Sequence, residues 1–289
     1  MDLRRILFFL QNHFSAICYP LQGVLAAFEY LLYDFWWSLR GFKKPSVEDA
    51  ALVASNVTFM FKSFERQKQA KELYKSIRKY YPEAMIVIAD DSQKPLTLED
   101  DNLKIIQMPF NSGLSKGLNQ ALAEIQTPFL MRIDDDELLT RRSDIAGELR
   151  FLLAHQDVDL IGIPCVDALK FRSLKKTIQP YFKFTMREAP LPLKIAIGTR
   201  LDQDHVILGK VPNIFLARTE SVRKVGWDDN IRMIDHHDFF FRAAGVLVSA
   251  LSTKSVVFHN HNFFSPKYNR YRSDWKGDAS YIWRTRYSR

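Results

Sequence analysis

From Val57 onward the apolar residues fall into two alternating patterns. Val57-Thr58-Phe59-Met60-Phe61, Met85-Ile86-Val87-Ile88-Ala89, Leu103 to Met108 and Phe129-Leu130-Met131-Arg132-Ile133 are short, nearly unbroken apolar runs that predict strands. Between them Gln67 to Tyr80, with Leu73, Ile77 and Tyr80 on one face, and Leu114 to Ile125 carry helical spacing, and Pro82 ends the first helix. Buried strands separated by helices predict an α/β fold: a mostly parallel sheet with helices on both faces. Further along, Asp144 to Ala154 reads as a helix, and Leu160-Ile161-Gly162-Ile163 and Val256-Val257-Phe258 read as strands. There is no internal repeat.

Ahead of this lies a different text. Leu7, Leu10, Phe14, Ile17, Leu21, Leu25, Phe28, Leu32 and Phe35 recur at steps of three or four, and no acidic or basic residue falls between Arg5 and Glu29. The spacing describes one or two amphipathic helices, broken near Pro20, lying in a membrane interface with Trp36 and Trp37 at head-group depth. A spanning signal-anchor and a soluble helix packed on the domain are the competing readings. No small-residue cleavage site of a secretory signal peptide is present. Gly41 to Ser46 marks the junction. The expected organisation is a membrane-associated segment over residues 1–48 and one domain over 49–289, with halves 49–140 and 141–289.

Composition narrows the classes. At 289 residues and 47% hydrophobic content the chain supports a sizeable core, which excludes a disordered or fibrous protein. Cys18 and Cys165 are too few for a disulfide framework or a Cys-built zinc site. The net charge of +8 favours anionic partners and is unevenly spread. Lys170 to Arg187 holds six basic residues and no acidic one, and Phe263 to Arg289 holds seven against Asp274 and Asp278, both interleaved with aromatics. No RNP-type or helix-turn-helix pattern accompanies them, so nucleic acid is not expected as a partner.

In parallel sheets ligands bind at the carboxyl ends of the strands. The first strand is followed by Lys62, Ser63, Phe64 and Arg66, the second ends in Asp90-Asp91-Ser92, and the fourth runs into Asp134-Asp135-Asp136-Glu137. Acidic clusters at neighbouring strand ends repel one another, so a cation or a set of hydrogen-bond donors must offset them.

These motifs, in this order, resemble the nucleotide-binding half of inverting GT-A glycosyltransferases of the family-two type: a strand, Asp90-Asp91-Ser92, the helix opening Asn111-x-Gly113-x-Ser115-x-Gly117-x-Asn119, and a strand ending in Asp134-x-Asp136. Within that superfamily the sequence is similar to the ganglioside β-1,4-N-acetylgalactosaminyltransferases, through Ser76-Ile77-Arg78, Tyr81-Pro82, Lys94-Pro95, Phe215-Leu216-Ala217-Arg218-Thr219 and Asp238-Phe239-Phe240 as well. The likeness covers Val57 to His259. It implies a Rossmann-like GT-A fold and a metal-dependent enzyme that moves a sugar, an N-acetylhexosamine or a hexose, from a UDP-sugar donor to a glycan or lipid-linked acceptor.

By the same resemblance Asp134 meets the ribose or the metal, Asp136 ligates the metal, and Asp135 reaches ribose or sugar hydroxyls. Asp90 is implied at the nucleobase, and Asp91 either joins it or fixes the loop. Lys62, Phe64 and Arg66 follow the first strand and suit donor contact, with pairing to a local acid the equal alternative for Arg66, as do Gly113, Lys116 and Asn119 at the helix opening. Asp238 is implied as the base that takes the acceptor proton, here in His-Asp rather than the commoner Glu-Asp. His259 is the further metal ligand, with His261 its rival. Oxygen ligands with one imidazole suit Mn²⁺ first and Mg²⁺ second.

Departures qualify the likeness. The common Gln-x-x-Arg-Trp motif is absent, with Trp275, Trp283 and Arg284 as partial replacements or membrane-packing residues. The sequence leaves two other classes open: a non-catalytic sugar-nucleotide or glycan-binding relative, and a nucleotidyltransferase on a related sheet. A chain that skims the membrane faces the cytoplasm. One that spans it places the domain in the lumen, where Asn56-Val57-Thr58 would be a glycosylation sequon.

Overall fold

The computed structural model describes residues 13–167, 181, 191–260, 264–271 and 275–287. His261 and, apart from Tyr181, the basic run from Lys170 to Arg187 lie outside them. Strands β1 (Val57–Ser63), β2 (Met85–Asp90), β3 (Leu103–Gln107) and β4 (Phe129–Arg132) form a parallel block in the order β3-β2-β1-β4. The sheet continues through β9 (Phe215–Arg218), β6 (Leu160–Gly162), β10 (Ser249–Ser252) and β8 (His205–Ile207). β9 runs antiparallel to both β4 and β6, and β8 is antiparallel to β10.

Alternate side chains of the parallel block enter two separate cores. Phe59, Phe61, Ile86, Ile88 and Met131 pack on one face with Leu73 and Ile77 of helix α3 (Gln67–Tyr80). Met60, Val87, Ala89 and Leu130 pack on the other with Leu118, Ala121 and Leu122 of α4 (Leu114–Ala123). Burial on both faces is why these strands read as unbroken apolar runs. The helix expected over Asp144 to Ala154 is α5 (Ile145–Ala154), with Asp144 as its N-cap, accepting from the Gly147 N–H at 2.9 Å.

A second, three-stranded sheet orders β5 (Glu137–Leu138), β11 (Val257–His259) and β7 (Cys165–Asp167). Its register sets His259 opposite both Glu137 and Asp167. This sheet delivers a residue from far down the chain to the acidic cluster.

The N-terminal region departs from expectation. Helix α1 (Ser15–Leu39) runs unbroken through Pro20. It is the helix, among the described residues, long and apolar enough to cross a membrane. Helix α2 (Val47–Asn56) follows, opened by a capping box between Ser46 and Asp49. The sequon is unfavourably placed, since Thr58 is buried in β1 and bonds Thr127 at 2.7 Å.

Candidate functional site

The carboxyl ends of β1 and β4, the start of α4 and the start of helix α7 (Asp235–Ala243) surround a cleft of about 840 Å³. Of the residues expected at the site, Lys62, Phe64, Arg66, Gly113, Asp134, Asp135, Asp136 and His259 line it. Asp90, Asp91, Lys116, Asn119 and Asp238 are not among its lining residues.

The acidic turn after β4 is held by cations. Arg66, at the N-terminus of α3, grips Asp135 through Nε and Nη2 and reaches Asp136 Oδ2 from Nη1 at 2.6 Å. Burial opposes the charge on Arg66, but Asp135 and Asp136 outweigh it and hold its pKa above the ordinary value. Arg132, wholly buried at the end of β4, places Nη2 2.7 Å from Asp134 Oδ1 and donates from Nη1 to the Asn213 carbonyl. Asp134 is the more open carboxylate, 37% exposed in its side chain, while Asp135 and Asp136 are buried. Burial pushes Asp135 up to about 7 against the pull of Arg66.

His259 joins this group from β11. Its Nδ1 lies 2.8 Å from Asp167 Oδ1 and its Nε2 3.5 Å from Asp136 Oδ2. Burial disfavours its charge, yet Asp136 and Asp167 hold its pKa well above the ordinary value. Cys165, Asp167 and His259 also bring ligand atoms within 4.8 Å of one another. The donor set around Asp136, carboxylate oxygens with one imidazole nitrogen, fits a divalent cation of the Mn²⁺ or Mg²⁺ kind. Guanidinium groups now supply the positive charge that such an ion would bring.

The Asp90-Asp91 pair is used differently. Both are fully buried. Asp90 accepts from the backbone N–H of Ser92 at 3.2 Å and of Leu96 at 2.6 Å, closing the loop after β2. Asp91 pairs with Lys62 Nζ at 2.6 Å and accepts from the Gly113 N–H at 3.1 Å. Burial raises the Asp91 pKa and lowers that of Lys62, each opposed by the other's charge. Gly113 has φ 103°, a conformation that L side chains rarely adopt, and a Cβ on Gly117 would lie 2.6 Å from Lys62 Cγ. Those glycines therefore admit the Lys62 stem and the Asp91 cap. Asn119 bonds Trp227 and Asp229, fixing the loop between α6 (Thr219–Val225) and α7, while Lys116 is exposed.

On α7 the expectation for Asp238 meets a difficulty of helical register. Asp238 faces inward, with Oδ2 2.7 Å from Arg242 Nε and Oδ1 2.7 Å from Arg286 Nε. Three residues earlier Asp235 faces the cleft. It is 4% exposed, with Asn213 Nδ2 3.5 Å and Arg132 Nη2 4.0 Å from Oδ2. Burial pushes its pKa up to about 6, opposed by Arg132. His236 also lines the cleft and bonds the Val211 carbonyl through Nε2 at 2.7 Å.

Sequence reasoning missed Asp235, Arg132 and the role of the C-terminal region. Asp278 in α9 (Trp275–Ile282) accepts from the backbone N–H groups of Arg232, Met233 and Ile234, which line the cleft. Arg286, rather than Arg284, reaches inward, while Trp275 and Trp283 are exposed. Helix α8 (Pro266–Tyr271) adds Tyr268, over which Arg66 lies at 4.1 Å, and Tyr271, whose ring meets Phe64 at 5.2 Å. The basic and aromatic character of this tail was legible, but not its place at the cleft.

The family described as "Glycosyl transferase family 2" matches residues 60–226. Mouse (Mus musculus) β-1,4 N-acetylgalactosaminyltransferase 2 is 30% identical over 213 residues, 73% of this chain and 40% of that protein. Rat (Rattus norvegicus) β-1,4 N-acetylgalactosaminyltransferase 1 is 31% identical over 219 residues, covering 72% and 39%. The chain thus spans about 40% of the length of these relatives. Among solved structures, S. aureus TarS 1-349 superposes with a TM-score of 0.53 at 18% identity, over 70% of this chain and 60% of that one. Its complex with UDP-GlcNAc gives 0.50 at 17% identity, over 70% and 58%. Identities this low speak to the fold alone, which is that of the GT-A glycosyltransferases.

Proposed function

The chain belongs to glycosyl transferase family 2, and from that premise we propose that its cleft transfers a sugar, an N-acetylhexosamine, from a UDP-sugar to the hydroxyl of a glycan acceptor with inversion. The observation that carries the reading is the convergence of Asp134, Asp136, Asp235 and His259 on one cleft from three separate parts of the chain. The choice of an N-acetylhexosamine is supported by the names of the curated relatives.

Asp134, Asp136 and His259 would hold a divalent cation, Mn²⁺ before Mg²⁺, which when bound offsets the charge growing on the nucleoside diphosphate leaving group. Arg66 is the mobile counter-charge: as the donor enters, its guanidinium turns from Asp135 and Asp136 toward the phosphates. Phe64, Tyr268 and Tyr271 form an aromatic wall for the flat parts of the donor. Lys62 and Gly113, held by Asp91, shape the floor. Asp90 keeps the loop beneath the nucleobase in place through its backbone bonds.

Asp235 takes the proton from the attacking acceptor hydroxyl. A pKa of about 6 leaves it ionised near neutral pH yet basic enough to accept a proton. Asp238, locked between Arg242 and Arg286, positions the helix that carries Asp235. The acceptor is a glycan that a lipid-linked or glycolipid carrier presents at a membrane surface.

The test is a panel of UDP-sugars with Mn²⁺ present or chelated, scored for transfer, donor hydrolysis and the nucleotide released. Metal-dependent release of UDP supports the proposal. Release of pyrophosphate would assign a nucleotidyltransferase, and binding without turnover a non-catalytic relative.

A further inference from the structure

Helix α1 is built inside out. Ile17, Leu21, Val24, Leu25, Phe28, Leu31, Leu32, Phe35, Trp36 and Leu39 are all exposed, at 47–67% of their surface. The buried positions of the helix are Gln22, Ala26, Glu29 and Asp34. Most soluble amphipathic helices do the reverse, turning their apolar stripe to the core.

The inward face is fastened along its length. Gln69 donates to the Tyr19 hydroxyl at 3.2 Å, and the Tyr30 hydroxyl donates to the Leu139 carbonyl at 2.8 Å. Asp34 receives Lys79 Nζ at 2.8 Å, the Tyr80 hydroxyl at 2.6 Å and the Arg141 N–H at 2.8 Å. The rings of Tyr30 and Tyr33 rest on Phe258, one residue before His259. Both acidic residues of the helix, Glu29 and Asp34, are buried, and its outward face carries no charge.

We propose that α1 is a monotopic membrane-docking surface: it lies flat in the interfacial region of an anionic bilayer, apolar face down, while its polar face stays bonded to the domain. At 1.5 Å per residue the 25-residue helix is roughly 37 Å long, so length alone permits a span. Sidedness decides against one. To span, the helix must abandon the bonds to Gln69, Lys79, Tyr80 and Arg141 and carry Gln22, Glu29 and Asp34 into hydrocarbon. Charge selects the bilayer over a second copy of the chain. Exposed Arg40, Lys43 and Lys44 follow the apolar face directly and match anionic head groups, but would repel their equivalents in a face-to-face pair. Arg40 also lies over Trp36 at 4.7 Å, a pairing suited to the head-group boundary.

This inference concerns how the chain meets a membrane and stands whether or not the cleft transfers sugar. The full chain, carrying an N-terminal epitope, is mixed with sealed vesicles of equal parts phosphatidylcholine and phosphatidylglycerol and floated on a density gradient. The expected result is co-flotation, with the epitope and the domain both digestible by protease added outside. Brominated lipids should quench tryptophan fluorescence more strongly with bromine near the head group than near the chain end. Phe28→Ser and Leu32→Ser alter exposed side chains and leave the fold intact by circular dichroism. Each should weaken vesicle partitioning about tenfold. Lys43→Glu with Lys44→Glu should weaken binding to these vesicles but not to pure phosphatidylcholine. An epitope protected inside the vesicles would establish a span and overturn the proposal. So would failure to float, or a stable dimer in solution that Phe28→Ser dissociates in a protein that does not bind vesicles.

Discussion

Two acidic clusters that look alike in sequence have opposite fates in the fold. Asp90-Asp91 is buried and held largely by backbone, the N–H groups of Ser92, Leu96 and Gly113, together with a lysine threaded past Gly117. Asp134-Asp135-Asp136 is held by the side chains of Arg66, Arg132 and His259, at the wall of the cleft. A carboxylate satisfied by backbone is part of the scaffold. One neutralised by side-chain cations can exchange them for a ligand's charge. The same contrast separates Asp238, clamped by two arginines, from Asp235, which faces the cleft with distant partners.

The largest effects are expected on α7. Asp235→Asn should lower the transfer rate about 10²- to 10⁴-fold, the range of a lost general base. Its melting temperature at neutral pH should hold or rise, because a buried charge is removed. Asp238→Asn should do the opposite, costing about 3 kcal/mol by leaving Arg242 without a carboxylate and Arg286 with Asp228 alone, while the rate stays within roughly tenfold. Rates and thermal melts on both variants check the assignment, and equal rate losses would undo it.

A second test sharpens the role of His259. Asp167 accepts from its Nδ1 and so aims Nε2 at Asp136. Asp167→Asn is expected to weaken Mn²⁺ affinity about 10- to 100-fold, read by the paramagnetic resonance of free Mn²⁺. For the scaffold pair, Asp91→Asn should destabilise the protein by about 3 kcal/mol, seen in urea unfolding, since Lys62 is left buried without its counter-charge.

The smallest effect is on pH. With the Asp235 pKa at about 6, the rate should climb as pH rises through that value and then level. Stability should run the other way. A carboxyl whose pKa is higher folded than unfolded favours the fold while protonated, and that contribution is lost as pH rises from about 4 through about 6. Asp235→Asn should erase the rate trend and remove its own share of the stability trend, leaving that of Asp135.

How much of this was legible in the sequence follows from burial. β1, β2 and β4 sit between two cores and so announced themselves as apolar runs, and α3 showed one apolar face, ended by Tyr81-Pro82. β8, β9 and β10 are three or four residues long and lie in mixed pairings, too short for a period to show. The convergence of His259 on Asp136 depends on the small second sheet, which joins Glu137, Asp167 and His259 across long sequence gaps. Asp235 was missed because a motif read in line ranks Asp238 by its neighbours, whereas the start of α7 turns the earlier carboxylate to the cleft. In α1 periodicity revealed an apolar face but not its direction; Asp34, with its three partners inside the protein, and Tyr30, bonded to Leu139, fix which side faces out.

The central claim is that the Asp134–Asp136 turn binds a nucleotide sugar together with a divalent cation, and calorimetric titration of UDP-N-acetylhexosamines into the chain tests it most directly. Binding is expected in Mn²⁺ and should disappear on chelation and in Asp136→Asn. Equal binding by wild type and Asp136→Asn, with or without the metal, would contradict it.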